Sequence, residues 1–168
     1  MSWVEFIAAL AAFLAAHMVP VRLKGPLTAL LGRRGYIIAF SLLSLALLYW
    51  LIMAAGRAPH VAFWPQQEWM RWLVNIVMPL AFLLGATCGM AGILTGFALW
   101  SGAHLIANGD LAHVILFGLM LAYALAGLAR ARPAFRPRPT PLRIVTGLGL
   151  WAVVWHLHTA VIGVSPMP

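Results

Sequence analysis

From Tyr36 to Gly56 the chain runs YIIAFSLLSLALLYWLIMAAG without one charged side chain, and five further stretches approach the same character. About 20 predominantly apolar residues suffice for a helix to cross a bilayer. Of the 168 residues, 64% are apolar and 8% charged, far from the balance of water-soluble domains. Inside hydrocarbon no water serves exposed backbone groups, so each stretch must satisfy its own N–H and C=O groups, and the expected fold is all-α. With proline, glycine and charge clusters as punctuation, spans fall at 3–19, 36–56, 69–88, 92–107, 111–129 and 142–163. The chain therefore reads as a single-domain polytopic membrane helix bundle of about six transmembrane helices, with the fourth span the shortest.

Orientation follows from the basic residues, because Lys and Arg in short loops stay on the cytoplasmic side. Arg22, Lys24, Arg33 and Arg34 lie between the first two spans, and Arg130, Arg132, Arg136, Arg138 and Arg143 surround the link from the fifth to the sixth. Arg57 and Arg71 fall on the opposite side. With six spans this distribution puts both termini outside the cytoplasm. The net charge of +8 is thus a topology signal, and the absence of a basic, aromatic-lined face argues against nucleic acid. Arg132 to Pro141, with four prolines, reads as a stiff extended linker. The first span carries Glu5 where a secretory leader has basic residues, so it is expected to stay as a helix. A single cysteine, Cys88, excludes an internal disulfide. No internal repeat supports a solute carrier built from duplicated halves.

Histidines carry the chemistry. An unpaired polar group buried in hydrocarbon costs on the order of 2 to 7 kcal/mol, so an intramembrane imidazole needs a partner or a metal. In the fourth span Gly96, Trp100, His104 and Asn108 recur every four residues and share a face. That stripe suits a porphyrin lying against the helix and equally suits helix packing, since Gly85, Gly89, Gly92 and Gly96 follow small-xxx-small spacing. His17 lies four residues after Phe13 on the alanine-rich first helix, as a ligand or as an interfacial residue. His113, with Phe117 four residues on, and His158, on the side of Trp151 and Trp155, are reserve ligands. His60 and His156 read as interfacial anchors. Gly109 is expected to take a left-handed conformation ending the fourth helix, and Asp110 to cap the fifth. Pro79 releases the carbonyl of Asn75 in the third helix. The three carboxylates Glu5, Glu68 and Asp110 all lie near helix ends, which argues against a proton relay and against Zn, Mg or Ca sites. Two histidines on different helices among aromatic residues fit haem iron better.

Four blocks, FLAAH at Phe13 to His17, GRRGYIIAFSLLSL at Gly32 to Leu45, LWSGAHLIANGDLAHVILFG at Leu99 to Gly118 and HTAVIGVSP at His158 to Pro166, resemble the NnrU family of bacterial membrane proteins. That family is associated with denitrification and nitric oxide metabolism and is similar to 15-cis-zeta-carotene isomerase, an integral membrane protein that uses haem b. The resemblance implies haem b as cofactor, His17 and His104 as axial ligands to its iron, and Trp100 with Phe13 lining the pocket. The isomerase has an alternate cysteine ligand three residues before its second histidine, where this chain has Ser101. Relatives carry Arg-His-Pro where this chain has Met90-Ala91-Gly92. In the topology above, His17 and His104 differ in depth by roughly 10 Å at 1.5 Å rise per residue. His104 with His113 or His158 is the rival pairing.

Two functions follow as expectations. The first is a haem protein acting on a hydrophobic polyene, by cis-trans isomerisation, or in nitric oxide metabolism. The second is a non-enzymatic accessory or assembly protein for a respiratory or nitric oxide reductase complex, with a membrane reductase subunit as partner.

Overall fold

The computed structural model describes residues 3–18 and 20–167, with the side chains of all but 18 and 20–22. Six helices make up nearly all of the described chain: α1 Trp3–Met18, α2 Pro20–Arg57, α3 Glu68–Thr87, α4 Gly89–Ala107, α5 Leu111–Ala131 and α6 Pro141–Ile162. No strand occurs among the described residues beyond an isolated bridge between Ala62 and Asp110. The all-helical architecture expected from sequence is the observed one. Five helices are long and apolar enough to span a bilayer, while α1, with 16 residues, is about 24 Å long against a hydrocarbon core of about 30 Å. Val19, the expected end of the first span, lies outside the described residues.

The chain divides into two compact units, Met1–His60 and Val61–Pro168. In the first, α1 packs on α2 through Phe6, Ala9 and Phe13 on one side and Leu51, Ala54 and Ala55 on the other, all buried. Arg57 holds Glu5 through both carboxylate oxygens, Nε at 3.2 Å from Oε2 and Nη2 on Oε1. The expected connection at 20–35 is helical instead, and α2 is interrupted only at Gly32 (φ 69, ψ 163). The basic residues and Gly25-Pro26 there suggest a loop, yet Leu27, Ala29, Leu30 and Leu31 are good helix formers that propagate the helix up to the break. Only glycine enters that backbone region without steric cost.

In the second unit α4 packs on α3 and α5, and α6 packs on α3, so the neighbours run α5, α4, α3, α6. Close approach is built from glycine. A Cβ at Gly96 would sit 2.5 Å from the Ala81 carbonyl oxygen, and one at Gly92 would collide with the Leu84 carbonyl oxygen. Gly147 brings α6 onto α3, where a Cβ would lie 3.0 Å from Ala86 Cβ and 3.1 Å from Phe82 O. The small-xxx-small reading of Gly92 and Gly96 is therefore the structural one. α5 and α6, consecutive in sequence, are separated by three interaxial steps of 8–10 Å, roughly 27 Å in all. The nine-residue linker 132–140 reaches about 30 Å when extended. Its Arg138 N–H donates to Thr87 O at the end of α3 (2.8 Å), which fixes the crossing.

Candidate functional site

The stripe on α4 does not keep one neighbour. Each four-residue step turns 400°, a drift of 40° per step, so residues twelve apart differ by about 120°. Gly96 accordingly faces α3, whereas His104 reaches α5, its ring 5.2 Å from that of Phe117. Trp100 lies 5.4 Å from both His104 and Phe117, and Phe97 stacks on Trp100 at 5.2 Å and 14°. Half-buried His104 therefore sits in an aromatic wall contributed by two helices. Ser101, fully buried, donates its hydroxyl to Phe97 O (2.8 Å), so its proton is committed to the helix backbone.

His104 Nδ1 lies 2.8 Å from Trp100 O. A carbonyl can only accept, so Nδ1 carries the proton and the neutral ring has its lone pair on Nε2. The same logic applies to every histidine singled out from sequence as a ligand. His17 Nδ1 lies 2.8 Å from Phe13 O, His158 Nδ1 2.7 Å from Val164 O, and His113 Nδ1 2.5 Å from Asp110 Oδ2. Asp110 has two roles: its other oxygen caps α5 by accepting the His113 N–H (3.4 Å). The capping expected for Asp110 is present, joined by a side-chain pair the sequence reading did not foresee. His113 also stacks on Phe117 at 6.0 Å and 23°. Phe117 thus has His104 and His113 as ring neighbours. Among the described residues no three His, Cys, Asp or Glu side chains gather closely enough to chelate one ion.

In the first unit, His17 packs on Phe13 at 4.2 Å and against Phe40 of α2 at 5.5 Å, edge to face. Phe40 in turn stacks on Tyr36 at 6.0 Å. His17 and Phe13 thus belong to one unit, and His104, Trp100, His113 and His158 to the other. His60 is exposed in the connection before α3, and His156 is exposed on α6.

Two long-range devices frame the second unit at the end that carries these histidines. The segment before α3 lies across the α4–α5 turn: Phe63 N donates to Gly109 O (2.6 Å), Leu111 N to Val61 O (2.9 Å), Trp64 Nε1 to Ile106 O (3.0 Å) and Gln66 Nε2 to Ala107 O (2.7 Å). The bonds to Ile106 O and Ala107 O satisfy carbonyls that the C-terminus of α4 leaves without helical partners, and the one from Leu111 N satisfies a free N–H at the start of α5. Gly109 is not left-handed, contrary to expectation; positive φ among glycines is confined to Gly32, Gly89 and Gly163. Glycine is needed at 109 because a Cβ would collide with Trp64 O and lie 2.7 Å from its ring. The second device is the segment after α6, whose consecutive carbonyls are each gripped by a helix side chain. Val164 O meets His158, Ser165 O accepts from Arg71 Nη2 (2.9 Å) and Pro166 O from Asn75 Nδ2 (2.7 Å). Asn75 Oδ1 also accepts from Trp155 Nε1 (2.9 Å), making it a hub of α3, α6 and the tail. Sequence gave no notice of Asn75, Phe40, Trp64 or Gln66 in these roles; only Phe117, spaced four from His113, carried a readable signal.

Neither a curated protein nor a solved structure matches this chain. The family model described as NnrU protein matches residues 5–166, which takes in all of α2 to α6, α1 from Glu5 onward and every residue of the sites above. The chain belongs to the NnrU family.

Proposed function

We propose that this protein binds haem b in the bacterial inner membrane, termini periplasmic, with His104 of the second unit and His17 of the first each offering Nε2 as an imidazole ligand. The observation that carries the reading is the shared lock: each donates Nδ1–H to the carbonyl four residues earlier while packed against an aromatic ring. Haem-ligating histidines are oriented in this manner, with the second nitrogen fixing tautomer and ring direction. The residues present fit the group, since imidazoles flanked by Phe and Trp offer nitrogen donors and flat apolar contact.

Bound haem would supply a redox-active, Lewis-acidic iron. Trp100 and Phe117 beside His104, and Phe13 beside His17, would exclude water from the ligating nitrogens, and the backbone carbonyls of Trp100 and Phe13 would hold those nitrogens in aim. His113 lies at the polar end of the same aromatic wall, its Nδ1–H donated to Asp110. Such a site serves nitric oxide metabolism or the isomerisation of an extended polyene, and a respiratory-complex partner would use the same haem.

The test is an absorption spectrum of detergent-solubilised protein made with haem supplementation, oxidised and reduced. The expected result is a Soret band and reduced bands of a b-type haem, lost or altered in His104→Ala and in His17→Ala but retained in His156→Ala. No haem in the wild type, or identical spectra in both ligand variants, would overturn the reading. Haem-free protein that co-purifies with a reductase subunit would assign the chain to the accessory role instead.

A further inference from the structure

The opposite end of the second unit carries a feature the haem reading does not use. Arg130, Arg132, Arg136, Arg138 and Arg143 crowd the end of α5, the linker and the start of α6, all exposed. Among the described residues none of them pairs with a carboxylate; the ion pairs join Arg57 to Glu5 and His113 to Asp110. Keeping a loop on one side of a membrane needs charge but no particular arrangement of it. Here the arrangement is specific. Arg132, Arg136 and Arg138 are interleaved along the chain with Pro133, Phe135, Pro137 and Pro139, so guanidinium and apolar groups share one stiff extended segment. Phe135 is 55% exposed, an aromatic ring amid guanidinium groups with no protein core around it.

The strip is also fixed. Arg132 closes α5 in a left-handed conformation (φ 39), its N–H bonded to Leu128 O at 3.0 Å. Arg138 N is tied to Thr87 O, Arg143 Nη1 reaches Arg138 O at 3.4 Å, and Thr140 caps α6 with Pro141 behind it. Proline locks φ and lowers the cost of holding the segment extended. Because it joins the ends of two membrane-crossing helices and touches the end of a third, the strip must lie at the depth of the lipid headgroups. Guanidinium binds phosphate oxygens through paired N–H groups, and an aromatic ring favours the same interfacial layer.

We infer that the linker 132–140 is a binding strip for anionic phospholipid, with Arg132, Arg136 and Arg138 on the headgroup phosphates and Phe135 seated among the glycerol and upper acyl groups. The occupant is a lipid because only a lipid offers phosphate and hydrocarbon together at this depth. The inference stands independently of haem.

Purified full-length protein in non-ionic detergent, given equimolar phosphatidylglycerol and phosphatidylcholine, should retain the first in clear excess by native mass spectrometry. One basic residue near an anionic surface is worth roughly fivefold in binding, so Arg132→Gln/Arg136→Gln/Arg138→Gln should reduce the excess by about 100-fold at most, and Arg136→Gln alone by about fivefold. The single variant keeps the test decisive if the triple one does not fold. Lys24→Gln/Arg33→Gln/Arg34→Gln removes equal charge elsewhere and should leave most of the excess. Phe135→Ser should weaken both lipids by a similar factor. Equal retention of the two lipids by the wild type, an equal loss in the control variant, displacement by millimolar inorganic phosphate, or co-purifying nucleic acid in place of lipid would each overturn the inference.

Discussion

Gly109→Ala tests whether the crossing segment before α3 holds the histidine-bearing end of the second unit together. The added methyl would meet the Trp64 carbonyl oxygen, with indole Cδ1 at 2.7 Å and Cγ at 2.8 Å. The obstacle is backbone as well as ring, so a rotamer change cannot relieve it and the segment must lift. Five hydrogen bonds then go: Phe63 N and Trp64 N to Gly109 O, Leu111 N to Val61 O, Trp64 Nε1 to Ile106 O and Gln66 Nε2 to Ala107 O. At about 0.5–1.5 kcal/mol net for each, the gross loss is roughly 2.5–7.5 kcal/mol, and water at this end should reduce it to about 2–4 kcal/mol. For a chain of this size that corresponds to a fall of about 5–15 °C in Tm. Gly102→Ala is the control, because a Cβ there meets nothing within 4 Å and alanine favours a helix interior by about 0.5–1 kcal/mol. Thermal unfolding in one detergent, with amide exchange at Phe63 and Leu111, reads both changes. An unchanged Tm in Gly109→Ala, with the Leu111 amide still protected, would refute the contact and the reasoning from it.

Other outcomes follow from the same geometry. Gly96→Ala should cost about 1–3 kcal/mol by forcing a methyl against Ala81 O, while Gly85→Ala, open on all sides, should not destabilise; chemical unfolding compares them. Asn75→Ala removes the donor to Pro166 and the acceptor of Trp155, a loss of about 1–3 kcal/mol, and should speed amide exchange in residues 164–167 before it lowers Tm. Asp110→Ala should cost about 1 kcal/mol through the lost α5 cap and release the His113 ring, visible as a changed tautomer ratio in its 15N shifts, whereas Asp110→Asn should keep the cap.

The helices were legible where local chemistry marks them. Thr140-Pro141 opens α6 and Asp110 opens α5, and both ends fall within a residue of the sequence reading. The misreading at 20–35 came from treating Gly25, Pro26 and nearby basic residues as a loop, although the backbone breaks only at Gly32. The site was half legible. Its histidines stood out because an imidazole between apolar residues is costly, but their partners did not: Val164 O, Asn75 and Gln66 are brought together by tertiary crossings that no spacing rule encodes. Gly109 shows the difference sharply, since local turn chemistry suggested left-handed backbone and the actual requirement is space for Trp64.

The locks on His17 and His104 share a property that separates the role of the backbone from that of the aromatic ring. The i−4 carbonyl that receives Nδ1–H is positioned to accept the helical N–H as well, and an oxygen with two lone pairs can serve both. Neutral imidazole is therefore accommodated in the helix without breaking the ladder. The lock needs only a carbonyl, so it should survive any replacement of Trp100 that keeps α4 helical. Trp100→Leu should leave the His104 tautomer as it is, with the proton on Nδ1 by 15N shifts, yet weaken haem retention and shift the Soret band by opening the wall shared with Phe97 and Phe117. If the tautomer ratio moved towards that of free imidazole while haem retention stayed the same, the carbonyl would not be holding the ring, and the case for His104 as a pre-aimed ligand would fall with it.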